Sequence, residues 1–508
     1  MNNNDRHIVA IDLGSSKISL TVAKVNDQDV QVIYYRETPS NGIRYSSIYN
    51  DLNARRTIEN AIRTAETELD IKITQAIAGM PKFPIIQESG NACFPEREDN
   101  EISEEEISQL KKFAQSVYPI DDNSKDAIYG SVAQSFSDGE NFQIIEEDII
   151  GMCSETLEGN FKIFIGKKNN LTKIDTALNK CGVVPARKYF TAESTAKAVL
   201  KESEMEGGVA LIDFGGGSTS VSIYHGKIMR HYASIPFGGK NITNDIKNEC
   251  QISERLAENI KLEFGACMPD KLLNLSDKIL DIKIGGSTKQ LSVKYLSEII
   301  TARVEEIMMA ILYEIEDSGF ADSLRCGIVV TGGSAQIPNL ANLINDISGY
   351  KARIGYPSRT FSCEGCEGLA ETSAATSIGL IISSLNDPSI NCLVINETAS
   401  SNITSDEGDE SNNTSKEEIG VVGNEENPQG ELFDKDQIET VDVNKTTDKG
   451  KTQKRKKEGT KRRGIISIFK DGFHTKIDSI FEFFGDDEVP HPITDNDVNE
   501  EEETEEKA

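Results

Sequence analysis

The chain has 508 residues, 37% of them hydrophobic, with the apolar residues concentrated before Leu385, so it is long enough to build several packed domains. Lys+Arg 54 against Asp+Glu 84 gives a formal net charge of -30, which excludes a general nucleic-acid surface and confines any basic patch to a local segment. The nine cysteines lack paired spacing, Met1–His7 holds no apolar segment of signal-peptide length, and no run reaches about 18 apolar residues, so a cytoplasmic protein with reduced thiols and no transmembrane helix is expected.

The first element is a hairpin within residues 8–35. An apolar strand ends at Asp12, turns through Gly14-Ser15-Ser16-Lys17 and resumes as the alternating Ile18-Ser19-Leu20. Residues 52–69 follow as an amphipathic helix with Ile58, Ala61, Ile62, Ala65 and Leu69 at helical spacing, then a strand at 75–79. An acidic helix start at Ser103-Glu104-Glu105-Glu106 and alternating segments at 128–135 and 148–157 mark an inserted α+β subdomain, 84–161, between the two parts of a first lobe, 1–83 and 162–204.

A second lobe is expected over 205–357, with a small subdomain at about 245–310 and a closing helix region at 358–385. It opens on a repeat of the first hairpin, Ile212-Asp213-Phe214-Gly215-Gly216-Gly217-Ser218-Thr219, about 200 residues on. Glycine lets backbone N–H groups approach phosphate oxygens, the hydroxyls add donors, and Asp12 and Asp213 can each hold hydrated Mg2+. One such turn reads as an ordinary hairpin. Two in register imply two lobes closing on one nucleotide. A third element, the strand ending at Thr331 and the turn Gly332-Gly333-Ser334, allows close backbone approach to a flat ligand. Gly238-Gly239-Lys240-Asn241 lacks the P-loop spacing, and Cys363-Glu364-Gly365-Cys366 has neither a second pair nor a nearby histidine to complete a zinc site.

From 386 to 463 the composition cannot bury enough apolar surface to fold, so a disordered linker is expected. A basic flank, Lys454-Arg455-Lys456-Lys457 and Lys461-Arg462-Arg463, then precedes an amphipathic helix over 464–485. Ile465, Ile466, Phe469, Phe473, Ile477, Ile480, Phe481 and Phe484 lie on one broad face of it, and Ser467, Asp471, His474, Asp478 and Glu482 on the other. Such a helix suits the interface of an anionic membrane, each flanking cation adding about 1 kcal/mol. The acidic tail, 486–508, would be repelled by that surface.

Over residues 8–385, and again at the C-terminal end, the chain resembles the FtsA family of bacterial cell-division proteins, within the actin-like ATPase superfamily. The two hairpins, the Gly332-Gly333-Ser334 turn, Ile235-Pro236-Phe237-Gly238-Gly239-Lys240-Asn241 and Ala257-Glu258-Asn259-Ile260-Lys261 carry the resemblance in order. It implies a two-lobed α/β actin-like fold with ATP and Mg2+ between the lobes. Gly14, Ser15, Ser16, Lys17 and Gly215, Gly216, Gly217, Ser218 would meet the phosphates, Gly332, Gly333 and Ser334 the adenosine, and Glu258 and Lys261 the ribose and adenine. Glu193-Ser194-Thr195-Ala196 is similar to the superfamily turn whose Glu sits near metal-bound water, which makes Glu193 the candidate catalytic group. Ser220 stands where many relatives carry Asp, a departure that weighs against rapid hydrolysis. Residues 291–304 resemble the helix that receives the C-terminal peptide of the tubulin-like protein FtsZ, so Lys294 and Arg303 would meet that peptide. The implied function is an adaptor that polymerises, joins other division proteins and tethers FtsZ to the cytoplasmic face of the inner membrane at the septum. The rival, a small-molecule kinase of the same superfamily, has no need of the C-terminal helix.

Overall fold

In a computed structural model the described residues run from Arg6 to Val394, apart from residues 27–28, 95–99, 121–123, 273–274, 285–286, 359–360 and 364, with one further strand at Ile438–Asp442. Two sheets share one strand order. In the first, Val30–Pro39, Lys17–Val25 and Arg6–Leu13 are successive antiparallel neighbours, followed by Gln75–Gly79 and Val184–Tyr189, parallel to the last of them. In the second, Ile228–Ile235, Thr219–His225 and Val209–Phe214 take the antiparallel places, and Ile328–Thr331 and Ala352–Ile354 the parallel ones. Tight turns suffice for the antiparallel pairs. The parallel neighbours require crossovers, and helices Asp51–Leu69, Lys168–Lys180, Val293–Asp317 and Leu340–Ser348 supply them.

Covering both faces of a parallel sheet buries its central strands completely. Ile8, Val9, Ala10 and Ile11 in the first sheet, and Val209, Ala210, Leu211 and Ile212 in the second, are accordingly buried. Helix Asp51–Leu69 forms where Asn50 accepts from the Asn53 backbone N–H at 3.0 Å and where Ala54, Ile58, Ala61, Ile62 and Ala65 face the sheet. At the closing segment, a 3-10 turn at Thr372–Ala374 leads into helix Ala375–Ser384, which is buried nearly all round and crosses helix Thr191–Val199 at Gly379.

Strands Ile85–Phe94, Leu157–Lys167 and Asp126–Ser137 form a separate antiparallel sheet. Helix Glu104–Val117 is capped reciprocally by Ser103 and Glu106, and Ile107, Leu110, Phe136, Leu157, Phe161 and Ile163 make a core of their own.

The alternation at 148–157 is strand only at Cys153–Ser154, which pairs antiparallel with Asn100–Glu101, and at its end. Glu146–Ile149 is a single helical turn, Gly151 turns at φ +88°, and the long strand begins only at Leu157. Packing also outlasts the change of composition at 386. Ile390, Cys392 and Leu393 are buried, and Leu393–Val394 pairs with Lys72–Ile73, so the apolar residues of this short segment override its polar surroundings. Within the expected linker, Ile438–Asp442 pairs antiparallel with Lys278–Ile282, on the edge opposite the hairpin partner Ser287–Ser292. The rest of that linker, the expected amphipathic helix at 464–485 and the tail at 486–508 lie outside the described residues. Among the described residues no helix is long and apolar enough to cross a membrane.

Candidate nucleotide site

The tips of the two hairpins abut. A side chain at Gly14 would stand 2.6 Å from the Lys17 carbonyl oxygen, and one at Gly215 2.7 Å from that of Ser218, so each turn closes only with glycine. A side chain at Gly216 would fall 2.0 Å from Ser16 Oγ, and one at Gly217 2.5 Å from Ser15 Oγ. Glycine therefore serves the approach of one hairpin to the other as well as the turn itself. Ser15 is fixed from both lobes: its hydroxyl oxygen accepts from the Ser46 backbone N–H at 3.0 Å, and its carbonyl accepts from Lys240 Nζ at 2.6 Å.

Behind the tips Asp213 is paired with a buried cation whose charge Asp12 also feels. Lys82, just past strand Gln75–Gly79, donates to Asp213 Oδ2 at 2.5 Å and to Thr376 Oγ1 at 3.1 Å, and it also feels the charge of Asp12. The Lys82 and Asp213 side chains are 14% and 10% exposed. Burial draws the ammonium down, but Asp213 and Asp12 outweigh it and hold Lys82 above its ordinary range. Burial raises Asp12; Lys82 opposes this, and the negative charge of Asp213 reinforces it.

This donor set fits a hydrated Mg2+. Asp213 lies against a place that already takes a positive charge, Asp12 feels the same charge, and phosphate and water would complete the oxygen shell. Among the described residues no group of three His, Cys, Asp or Glu could hold a metal by itself, and Cys363 and Cys366 are not joined in a disulfide.

The third turn closes on the second hairpin. Gly332 has φ +92°, and a side chain there would meet Asp213 Oδ1 at 2.6 Å; Ser334 Oγ donates to the Gly215 carbonyl at 3.1 Å. Glu258 and Lys261, one helical turn apart, reach the same corner. Lys261 Nζ lies 2.8 Å from Glu258 Oε2 and 2.8 Å from Thr243 Oγ1, and it donates to the Gly239 carbonyl at 3.1 Å.

Three of the expected site residues are not brought together with their expected neighbours. Glu193 is not gathered with the aspartates: burial raises its pKa, and the charges it feels are those of Lys197 and Lys111. The face of helix Thr191–Val199 turned to the site instead carries Thr191, which donates to the Met80 carbonyl at 3.2 Å, and Thr195, 3.1 Å from Thr376 Oγ1. Lys294 and Arg303 do not form one surface either, because nine residues at about 100° each set them on opposite faces of a helix. Lys294 is exposed, whereas Arg303 is held by Asp245 through Nε at 2.5 Å and Nη2 at 2.9 Å, and by Glu306.

Sequence reasoning passed over Lys82, Thr376, Lys240 and Glu37. Glu37 accepts from Lys17, from Tyr35 Oη at 2.6 Å and from Ser373 Oγ at 2.9 Å. Burial raises its pKa, but these donors, Lys17 foremost, bring it below the ordinary 4.5. A depressed carboxylate adds stability above its unfolded pKa and loses it as pH falls through the folded value. The melting temperature of the parent should therefore exceed that of Glu37→Gln at neutral pH, with the gap closing in acid below 4.5. A gap independent of pH would show that the Glu37 charge does not matter.

A family model described as cell division protein FtsA matches residues 210–379. The chain is 28% identical to the cell division protein FtsA of Neisseria meningitidis serogroup B over 361 residues, 70% of this chain and 85% of that protein. It is 28% identical to the protein of the same name from Pseudomonas aeruginosa over 386 residues, 75% and 90% of the two chains. Among solved structures, the PilM-PilN type IV pilus biogenesis complex matches with a TM-score of 0.53 at 12% identity, covering 74% of this chain and 98% of that one, a likeness of fold alone.

Proposed function

We propose that this chain, which is similar along 70% and 75% of its length to two proteins named cell division protein FtsA, is an actin-like cell-division protein that binds ATP with Mg2+ between its lobes, polymerises, and tethers FtsZ to the cytoplasmic face of the inner membrane at the division septum. The observation that carries the nucleotide reading is the pairing of Asp213, in the second copy of the hairpin, with the buried Lys82, whose charge is also felt by Asp12 in the first copy.

In this reading the backbone N–H groups of Gly14–Lys17 and Gly215–Ser218 donate to phosphate oxygens from two sides. Asp12 and Asp213 would hold the metal, which neutralises phosphate charge when bound. Gly332, Gly333 and Ser334 let the backbone lie against the adenosine, and Glu258 and Lys261 meet the ribose and base. Glu193 has no part in this scheme, and with Ser220 in place of a third carboxylate the site suits slow or absent turnover. Nucleotide would then serve to hold the lobes in one relative state. The kinase rival loses ground because the similar cell-division proteins align along 70% and 75% of the chain.

The membrane part rests on the sequence of 464–485. Phe473→Asp would set a charge in the bilayer boundary at a cost of about 3 kcal/mol, comparable to the binding of one such helix. The variant should remain folded, bind ATP like the parent in calorimetry, and fail to float with anionic liposomes. Equal flotation of variant and parent would remove the membrane-anchor reading.

A further inference from the structure

The carboxylate pair that would take a metal ion is already neutralised in part by the protein. Lys82 Nζ is within hydrogen-bond distance of Asp213 Oδ2 and Thr376 Oγ1, and Asp12 is the next charge it feels. The residue is also gripped by its backbone, because Tyr232 Oη, from strand Ile228–Ile235, donates to the Lys82 carbonyl at 2.8 Å. Lys82 is thus fixed from the second lobe at both ends. A divalent cation on the same carboxylates would stand against an ammonium of like sign in a setting where water cannot screen the pair. Metal and lysine cannot both occupy the pair. Phosphate changes that balance, since it gives a displaced ammonium an anionic partner and gives the metal further oxygen ligands.

We propose that Lys82 is a resident cation that keeps free divalent metal off Asp12 and Asp213, so that metal enters only together with a polyphosphate. Release of Lys82 from Asp213 and Thr376 then accompanies nucleotide loading and breaks a bond between the lobes. The proposal rests on reading the cleft as a nucleotide site, but the exclusion of metal concerns the protein's own residues and is measured without nucleotide.

The test uses the full chain, nucleotide-free, titrated with Mn2+ alone while free metal is followed by electron paramagnetic resonance. Lys82→Met should bind one Mn2+ at least about tenfold more tightly than the parent, as removal of a buried like charge from a metal pair requires. Lys82→Met/Asp213→Asn should lose that gain. Equal Mn2+ affinity in parent and Lys82→Met overturns the proposal. If Lys82→Met does not melt cooperatively without metal, millimolar Mn2+ should restore its melt, and absence of rescue would show that Lys82 is a structural ion-pair partner only. An ATP titration of the parent in Mg2+ buffer runs alongside. No binding there removes the nucleotide reading and leaves the metal result to stand or fall separately.

Discussion

Asp213→Ala is expected to lose ATP binding by a factor of at least about a hundred and to destabilise the nucleotide-free protein by about 3–5 kcal/mol, the range for breaking one side of a buried ion pair. The two losses have different origins. Binding fails because Asp213 is one of the two carboxylates available to the metal, and because it packs against Gly332, where the third turn approaches the second hairpin. Stability falls because Lys82, 14% exposed, keeps Thr376 and Asp12 but loses its nearest counter-charge. The double variant Asp213→Ala/Lys82→Met separates them. Removing both partners should restore most of the stability, as replacing a buried pair by apolar groups generally does, without restoring ATP binding. Chemical denaturation and calorimetry on the three proteins measure both quantities. Recovery of ATP affinity in the double variant would mean that Asp213 acts only through Lys82.

Gly379→Val should be the most damaging of the single substitutions considered. A Cβ there would lie 2.0 Å from the carbonyl oxygen of Ser194, 2.3 Å from its carbon and 3.0 Å from the Thr195 nitrogen. All three are backbone atoms of helix Thr191–Val199, so no side chain can move aside, and the two helices must part. Their seam also carries the bonds between Ser194 and Ser383 and between Thr195 and Thr376. The cost should exceed the about 1–3 kcal/mol usual for overpacking. Gly182→Ala is the informative control. Gly182 has φ +78° with nothing within 4 Å of an added Cβ, so its cost is backbone strain alone, about 1–2 kcal/mol. Melting temperatures of the two variants that fall by similar amounts would show that the helix crossing is looser than its geometry indicates.

The hairpins and the duplication were legible in the sequence because their signal is local: an apolar run, Asp, small turn residues, then alternation within about ten residues. The Gly332-Gly333-Ser334 turn has a local signal of the same kind, whereas Glu258 and Lys261 were singled out by the family resemblance. Lys82 was not. It follows Gly79-Met80-Pro81, an ordinary strand exit, and its partner is 131 residues away. Glu37 is likewise defined by Lys17, Tyr35 and Ser373, which only folding brings together. Glu193 shows the converse limit. A motif placed it at a helix start, but the side of that helix facing the site is set by packing, which turns Thr191 and Thr195 inward. For Lys294 and Arg303 helical arithmetic already separated the two faces, and the bond of Arg303 to Asp245 has no signal in the local sequence. The segment 386–394 packs because a few apolar residues meet a waiting strand, a tertiary effect that averaged composition hides.

The tether is tested most directly by sedimenting purified FtsZ filaments with anionic liposomes in the presence of this protein, ATP and Mg2+. FtsZ should pellet with the liposomes when the full chain is present and remain in the supernatant with Phe473→Asp, which still binds FtsZ in solution. FtsZ that partitions identically with the full chain, with Phe473→Asp and with no added protein would contradict the role of membrane tether.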